Sequence, residues 1–204
     1  SQVRMKKMGP PGPREAIEAA IASTGCVVRP DPERGGFVAV DCPSQQARAE
    51  LVDVMAWEDA LYDGRIRQLA LAIADVAAER RHRAGPVSGP ELASEVQLQV
   101  ASRVRFIGEA GDQIQDAWTT WAIRWGDCDC QTRLVLALLR SVGIEVQSVG
   151  FRRDDGTVAH ICAALPSRTG PWYLETTLGP AVMIGEHPYE AARRLGVTAR
   201  DDLR

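Results

Sequence analysis

Residues 126–144 read GDCDCQTRLVLALLRSVGI, and the rest of the chain makes sense from this segment outward. Leu134, Val135, Leu138, Leu139 and Val142 recur at helical intervals, and Gly143 is a natural stop after the last turn. The spacing predicts a buried helix. Cys128 stands where a loop enters it. A sulfur there would feel the positive end of the helix dipole and the free amides of the first turn, both of which favour thiolate over thiol. The same amides can donate to an oxyanion when a carbonyl is attacked. Asp127 and Asp129 flank the sulfur. Their charge opposes its ionisation, and they read as helix-start carboxylates satisfied by backbone donors.

Three β-prone runs come after the helix: IEVQSVGF (144–151), TVAHICAAL (157–165) and WYLETT (172–177). A DDG turn and a PSRTGP turn join them, which predicts an antiparallel meander. By alternation His160, Cys162 and Ala164 share one strand face, and Ala159, Ile161 and Ala163 the other. A histidine on a strand laid against the helix can take the thiol proton as base and return it as acid. Glu175, on the next strand, can accept from the other imidazole nitrogen and fix its tautomer. His187, before Pro188, is the rival for the base. Gln115 and Trp125 are candidates to complete an oxyanion hole. Taken singly, Cys128 reads as buried filler, His160 as a satisfied strand histidine and Glu175 as a solvated strand end.

At three separate places these motifs resemble the transglutaminase-like superfamily. GDCDCQTRLVLALLRSVGI is similar to that family's nucleophile helix, whose bacterial and phage members often read GDCDD followed by LLxxLLRxxGI. His160 in VAHICAAL resembles its strand histidine, and WYLETT its WxxLDPT-type acid strand, with Glu175 for Asp and Thr176 for Pro. Cys130 stands where a second acidic residue is usual, and His160 lacks the aromatic or valine that commonly comes after it. The resemblance covers about residues 62–187 and is dense from 124 to 177. It implies an α+β, papain-like or transglutaminase-like domain over 61–204, its nucleophile helix packed on an antiparallel sheet. It implies thiol-dependent hydrolysis or acyl transfer at an amide or peptide bond, with Cys128 as nucleophile, His160 as base and acid, and Glu175 as orienter. The substrate would be a peptide or protein amide. The expected setting is cytoplasmic or virion-associated, in a phage particle or its assembly.

Upstream, residues 1–13 hold Gly9, Pro10, Pro11, Gly12 and Pro13, which predicts an extended arm, disordered or clamped on a protein partner. Residues 14–60 read as a small α/β appendage: a helix from Arg14 to Ser23, strands at 26–29 and 36–41, and a helix capped by Ser44 and running to about Asp59. A unit that size needs to dock on the larger domain C-terminal to it. Helices are expected over Ile66–His82, whose ERRHR end is a solvated face, over Glu91–Phe106, and over Tyr189–Leu195. Trp118, Trp121 and Trp125 fall at helical spacing, the mark of core packing.

With 204 residues, 24 Lys+Arg against 27 Asp+Glu and a net charge of -3, the chain has no global basic field for a nucleic-acid partner. No apolar run approaches the ~20 residues that span a bilayer, so no membrane is expected. SQVRMKKMGPPGPRE lacks the apolar core of a secretory signal, although a product trimmed before Ser1 would look the same. No Walker loop or GxGxxG occurs, so no organic cofactor is expected. Five cysteines, irregularly spaced, suggest a reducing compartment; Cys26 and Cys42 could pair across the hairpin, but read first as packing residues. Two other functions compete. One is a Cys₃His zinc module from Cys128, Cys130, His160 and Cys162, opposed by the ~200° divergence of helical side chains two apart. The other is a structural or assembly protein on an inactive scaffold of the same fold.

Overall fold

The computed structural model describes residues 2–4, 14–80, 86–108, 113–152 and 158–197. In chain order its elements are β1 (Gln2–Arg4), α1 (Arg14–Ser23), β2 (Val27–Pro30), β3 (Phe37–Asp41), α2 (Gln45–Tyr62), α3 (Gly64–Arg80), α4 (Gly89–Arg103), β4 (Arg105–Phe106), β5 (Gln113–Gln115), α5 (Ala117–Ile123), β6 (Trp125–Gly126), α6 (Cys128–Ser141), β7 (Gln147–Arg152), β8 (Val158–Leu165), β9 (Trp172–Leu174) and α7 (Pro188–Arg194). The fold class is α+β.

The 126–144 segment forms the central helix, α6. Asp127 caps it, its carboxylate accepting from the Cys130 amide at 2.9 Å. Gly143 ends it with φ 82°, so that the Gly143 and Ile144 amides return to Arg140 and Leu139. That pair of bonds satisfies the last carbonyls, and only glycine adopts this φ without strain. Between the caps every residue from Asp129 to Ser141 is buried. Leu134, Leu138 and Leu139 pack with α3, α4 and the sheet residues Ala163, Leu165 and Leu174. Fully burying each such leucine contributes roughly 1.5–3 kcal/mol.

A helix enclosed all round must also satisfy its polar side chains internally. Arg133 makes a two-pronged pair with Asp59 of α2, at 2.6 and 2.8 Å. Arg140 reaches Asp53 of α2 at 2.7 Å, and Arg48 of α2 bonds the Asp129 carboxylate. The segment 14–60 thus adds charged partners for α6 as well as apolar surface. Its hairpin joins a three-stranded sheet in the order β2-β3-β5.

The larger sheet runs β1-β7-β8-β9, antiparallel throughout, with Phe151 opposite His160 and Ala163 opposite Leu174. The expected meander is β7-β8-β9; the edge strand Gln2–Arg4 has no signal in its residues. Residues 5–13 of the expected arm, the DDG turn and His82 lie outside the described residues.

Three expectations need correction. The helix expected to reach Phe106 stops at Arg103, because 105–106 pair with 125–126 as parallel strands. Trp125 leaves the helix of Trp118 and Trp121, because Arg124 turns left-handed with φ 63°. Cys26 and Cys42 are not separate packing residues but a disulfide closing the β2–β3 hairpin. This removes the premise on which a reducing compartment rests. No helix among the described residues is long and apolar enough to cross a membrane.

Breaking one buried α2–α6 pair should strand its partner's charge. Asp59→Ala is expected to cost about 3–5 kcal/mol in urea unfolding, while Asp59→Leu with Arg133→Met costs much less. Equal losses from the two would mean that the pair contributes only packing volume.

Candidate active site

Strand and helix ends bring the three expected residues together. His160 lies on β8, and Glu175 comes directly after the last residue of β9. The His160 Nε2 and a Glu175 carboxylate oxygen are 2.5 Å apart, and both side chains are sealed from solvent. The other Glu175 oxygen accepts twice from Thr177, from its amide and its hydroxyl, each at 2.6 Å. Burial works to raise the Glu175 pKa, but the neighbouring His160 charge and the bonds from His160 and Thr177 outweigh it. The carboxyl is held below its ordinary value and therefore ionised at neutral pH. An ionised acceptor keeps a proton on Nε2, so Nδ1 is the ring nitrogen left to exchange one.

Cys128 opens α6 and is partly exposed, whereas Cys130 and Cys162 are buried. The imidazole of His160 is near enough to the sulfur to draw its thiol downward. Two things hold the loop before it. The Gly126 carbonyl accepts from Gln131 Nε2 at 3.1 Å and from the Ile107 amide at 3.2 Å. Gly126 itself leaves no room for a side chain: a Cβ there would meet Cys130 Cβ at 2.7 Å.

The expected thiolate is not the resting form. Burial pushes the Cys128 thiol up to about 11, the Asp129 and Asp127 charges add to this, and His160 opposes it. The helix-end effect is outweighed by a dense surrounding and by a carboxylate oxygen 4.0 Å from the sulfur. Asp127 is pushed up to about 7, by its own burial first and by Asp129 second. The site at rest holds a neutral thiol.

The rival base has other work. His187 caps α7, its Nδ1 accepting from the Tyr189 amide at 3.3 Å, and its ring packs on Phe151 at 5.1 Å. Gln115 is sealed in, its Oε1 accepting from the Thr120 hydroxyl at 3.0 Å, and braces β5 against α5. Trp125 is partly exposed beside Phe37, with ring centroids 6.1 Å apart. The four zinc candidates do not gather: Cys130 Sγ accepts from the Gln115 amide, and Glu175 takes His160 Nε2. Among the described residues no group of three or more His, Cys, Asp or Glu is placed to hold a metal ion.

Several neighbours of the site carry no sequence signal of their own. Thr177 grips the Glu175 carboxylate. Gln97 of α4 donates from Nε2 to the Glu175 and Val182 carbonyls, each at 3.2 Å, and so holds the backbone under the acid. Arg48 approaches from α2. Each is an isolated polar residue in an element whose pattern is otherwise ordinary, so only the fold reveals its target.

Comparison with known proteins returns nothing: no family model, no curated protein and no solved structure matches the chain.

Two pH profiles test these electrostatics. Iodoacetamide should label Cys128 ahead of Cys130 and Cys162, at a rate climbing about tenfold per pH unit from 7 to 10. A plateau below pH 8 would show a stored thiolate. Asp127 has its folded pKa, about 7, above its ordinary 3.8, so its contribution to stability is full below the lower value and lost as pH rises through the higher. Asp127→Asn keeps a capping oxygen and removes that loss. Its melting temperature relative to wild type should rise between pH 5 and pH 8; a constant difference contradicts the assignment.

Proposed function

We propose that the chain is a thiol-dependent hydrolase or acyltransferase of papain-like, transglutaminase-like architecture, acting on an amide bond of a peptide or protein. The observation that carries this reading is the sealed His160–Glu175 hydrogen bond, with the His160 imidazole near enough to Cys128 to act on its thiol. The resemblance of three motifs to that superfamily, and a capped helix laid on an antiparallel sheet, support it.

The reaction is set by the resting protonation states. Cys128 Sγ attacks the carbonyl carbon as its proton passes to His160 Nδ1, and the carbonyl electrons move onto oxygen. Glu175, ionised, steadies the imidazolium. The Cys130 amide is taken by Asp127, which leaves the first two amides of α6 for the oxyanion. The tetrahedral centre collapses, the C–N bond breaks, and the amine leaves with the proton from Nδ1. Water or a second amine then attacks the thioester while Nδ1 takes its proton, and Cys128 regains a proton as the acyl group departs. Because the thiol rests neutral, base and nucleophile act in one step.

The raised thiol is also the observation that favours a second reading, an assembly protein, as in a phage particle, on a scaffold that has lost catalysis. Amine release from a panel of peptide amides and glutamine-containing peptides separates the two. Cys128→Ser and His160→Ala should each lower turnover by about 10³-fold or more, and Glu175→Gln by about 10²- to 10⁴-fold, with the circular dichroism spectrum kept. Turnover that survives Cys128→Ser contradicts the enzyme reading. A panel left intact by a protein whose Cys128 still alkylates supports the scaffold.

A further inference from the structure

We propose that Arg48, on the first turn of α2, is a positioning residue for Cys128: its guanidinium holds the Asp129 carboxylate and balances that charge beside the sulfur. This rests on the reading of Cys128 as nucleophile, and it extends the site to a segment outside the stretch that carries the family resemblance.

The geometry is a relay of three side chains. Arg48 Nε donates to Asp129 Oδ2, and its Nη2 donates to the Gln113 carbonyl at 3.1 Å. The Arg48 side chain is 10% exposed and that of Asp129 11%. The second Asp129 oxygen, Oδ1, lies 4.0 Å from Cys128 Sγ. A carboxylate so close to a sulfur opposes the negative charge that the sulfur must carry during attack. The guanidinium on the far oxygen offsets that field and fixes the rotamer that keeps Oδ1 at this distance.

The charged and titratable groups around the sulfur come from each packed element. Asp129 lies on α6 and Asp127 caps it, His160 and Cys162 lie on β8, and Arg48 on α2. Arg48 also acts on Asp127, drawing it downward against its burial and the Asp129 charge. Of these groups, the two aspartates oppose a thiolate. His160 and Arg48 oppose them, and of the two the Arg48 guanidinium is the charge that does not titrate.

A bland alternative treats Arg48–Asp129 as one more tie between α2 and α6, like Asp59–Arg133 and Asp53–Arg140. Those two pairs supply the control. Arg133 and Arg140 sit five and twelve residues beyond Cys128 on α6, about 7.5 and 18 Å along the axis. A residue that only ties helices changes stability wherever it sits. A residue that sets the field at the sulfur changes its pH profile from position 48 alone.

The test is the rate of Cys128 alkylation by iodoacetamide from pH 6.5 to 10, read by peptide mass mapping on the full chain. Arg48→Met should lower the rate at pH 7.5 by about tenfold and move the profile upward by about one unit. Arg48→Lys should recover at least half of that loss. Adding Asp129→Asn to Arg48→Met should return the rate to wild type or above, and Asp129→Asn alone should raise it. Asp53→Asn, which weakens the other tie, should lower stability and leave the profile in place. If Arg48→Met does not fold, Arg48→Lys and Asp129→Asn still decide: an unchanged rate in Asp129→Asn overturns the proposal. So does a folded Arg48→Met with the wild-type profile, or an Asp53→Asn profile moved as far as that of Arg48→Met. Alkylation needs no turnover. A shifted profile in a protein inert towards amides retires the enzyme reading and keeps this one; turnover with an unshifted profile does the reverse.

Discussion

Three buried arginine–aspartate pairs between α2 and α6 fix the helix that presents Cys128. Apolar packing alone would let α6 slide or rotate among similar leucine surfaces. A guanidinium that must find its carboxylate in a dry interface permits one register, because any other strands a charge. The pairs have opposite senses: α2 supplies one arginine and two aspartates, α6 one aspartate and two arginines. Once α6 is set, the rest of the site is decided by how it meets the sheet. Thr132 donates its hydroxyl to the Ile161 carbonyl at 3.2 Å, which ties the second turn of the helix beside the strand of His160.

The acid end of the site is built to the same standard. Every oxygen of the Glu175 side chain has a donor, and Gln97 holds the carbonyl of the same residue. A carboxylate saturated in this way stays ionised in a buried place and keeps an imidazole in one tautomer. The sulfur end is different. It has two aspartates and a dense surrounding against its ionisation, so the neutral thiol is the resting species. On the enzyme reading, proton transfer to His160 is part of the attack instead of preceding it.

Much of this is legible in the residues. Leu134 to Leu139 with Gly143 mark a buried helix with a defined end, and Ser44 marks the start of α2. The alternation around His160 and the turns at 166–171 mark the meander. These features are local, set by periodicity and capping within one segment. The long-range features are not legible. Nothing local singles out Arg133 and Arg140, yet Asp129, Arg133 and Arg140 are spaced by four and seven residues and lie along one stripe. A polar stripe in a helix with no exposed face is a sign of charged partners, but nothing local names Asp59 or Asp53. The Cys26–Cys42 bridge needs the hairpin register, with Val27 opposite Asp41, before the two sulfurs can be seen to meet. The thiol's protonation is hidden because a helix terminus is visible in sequence and burial is not.

The central claim is that Cys128 takes an acyl group with His160 as its base. Intact-mass and peptide analysis after brief exposure to an activated aryl ester tests this without knowledge of the natural substrate. The expected result is one acyl group per chain, on Cys128, labile to hydroxylamine as a thioester is, and lost in His160→Ala. Acylation elsewhere in the chain, or equal acylation of Cys128 without His160, would contradict it.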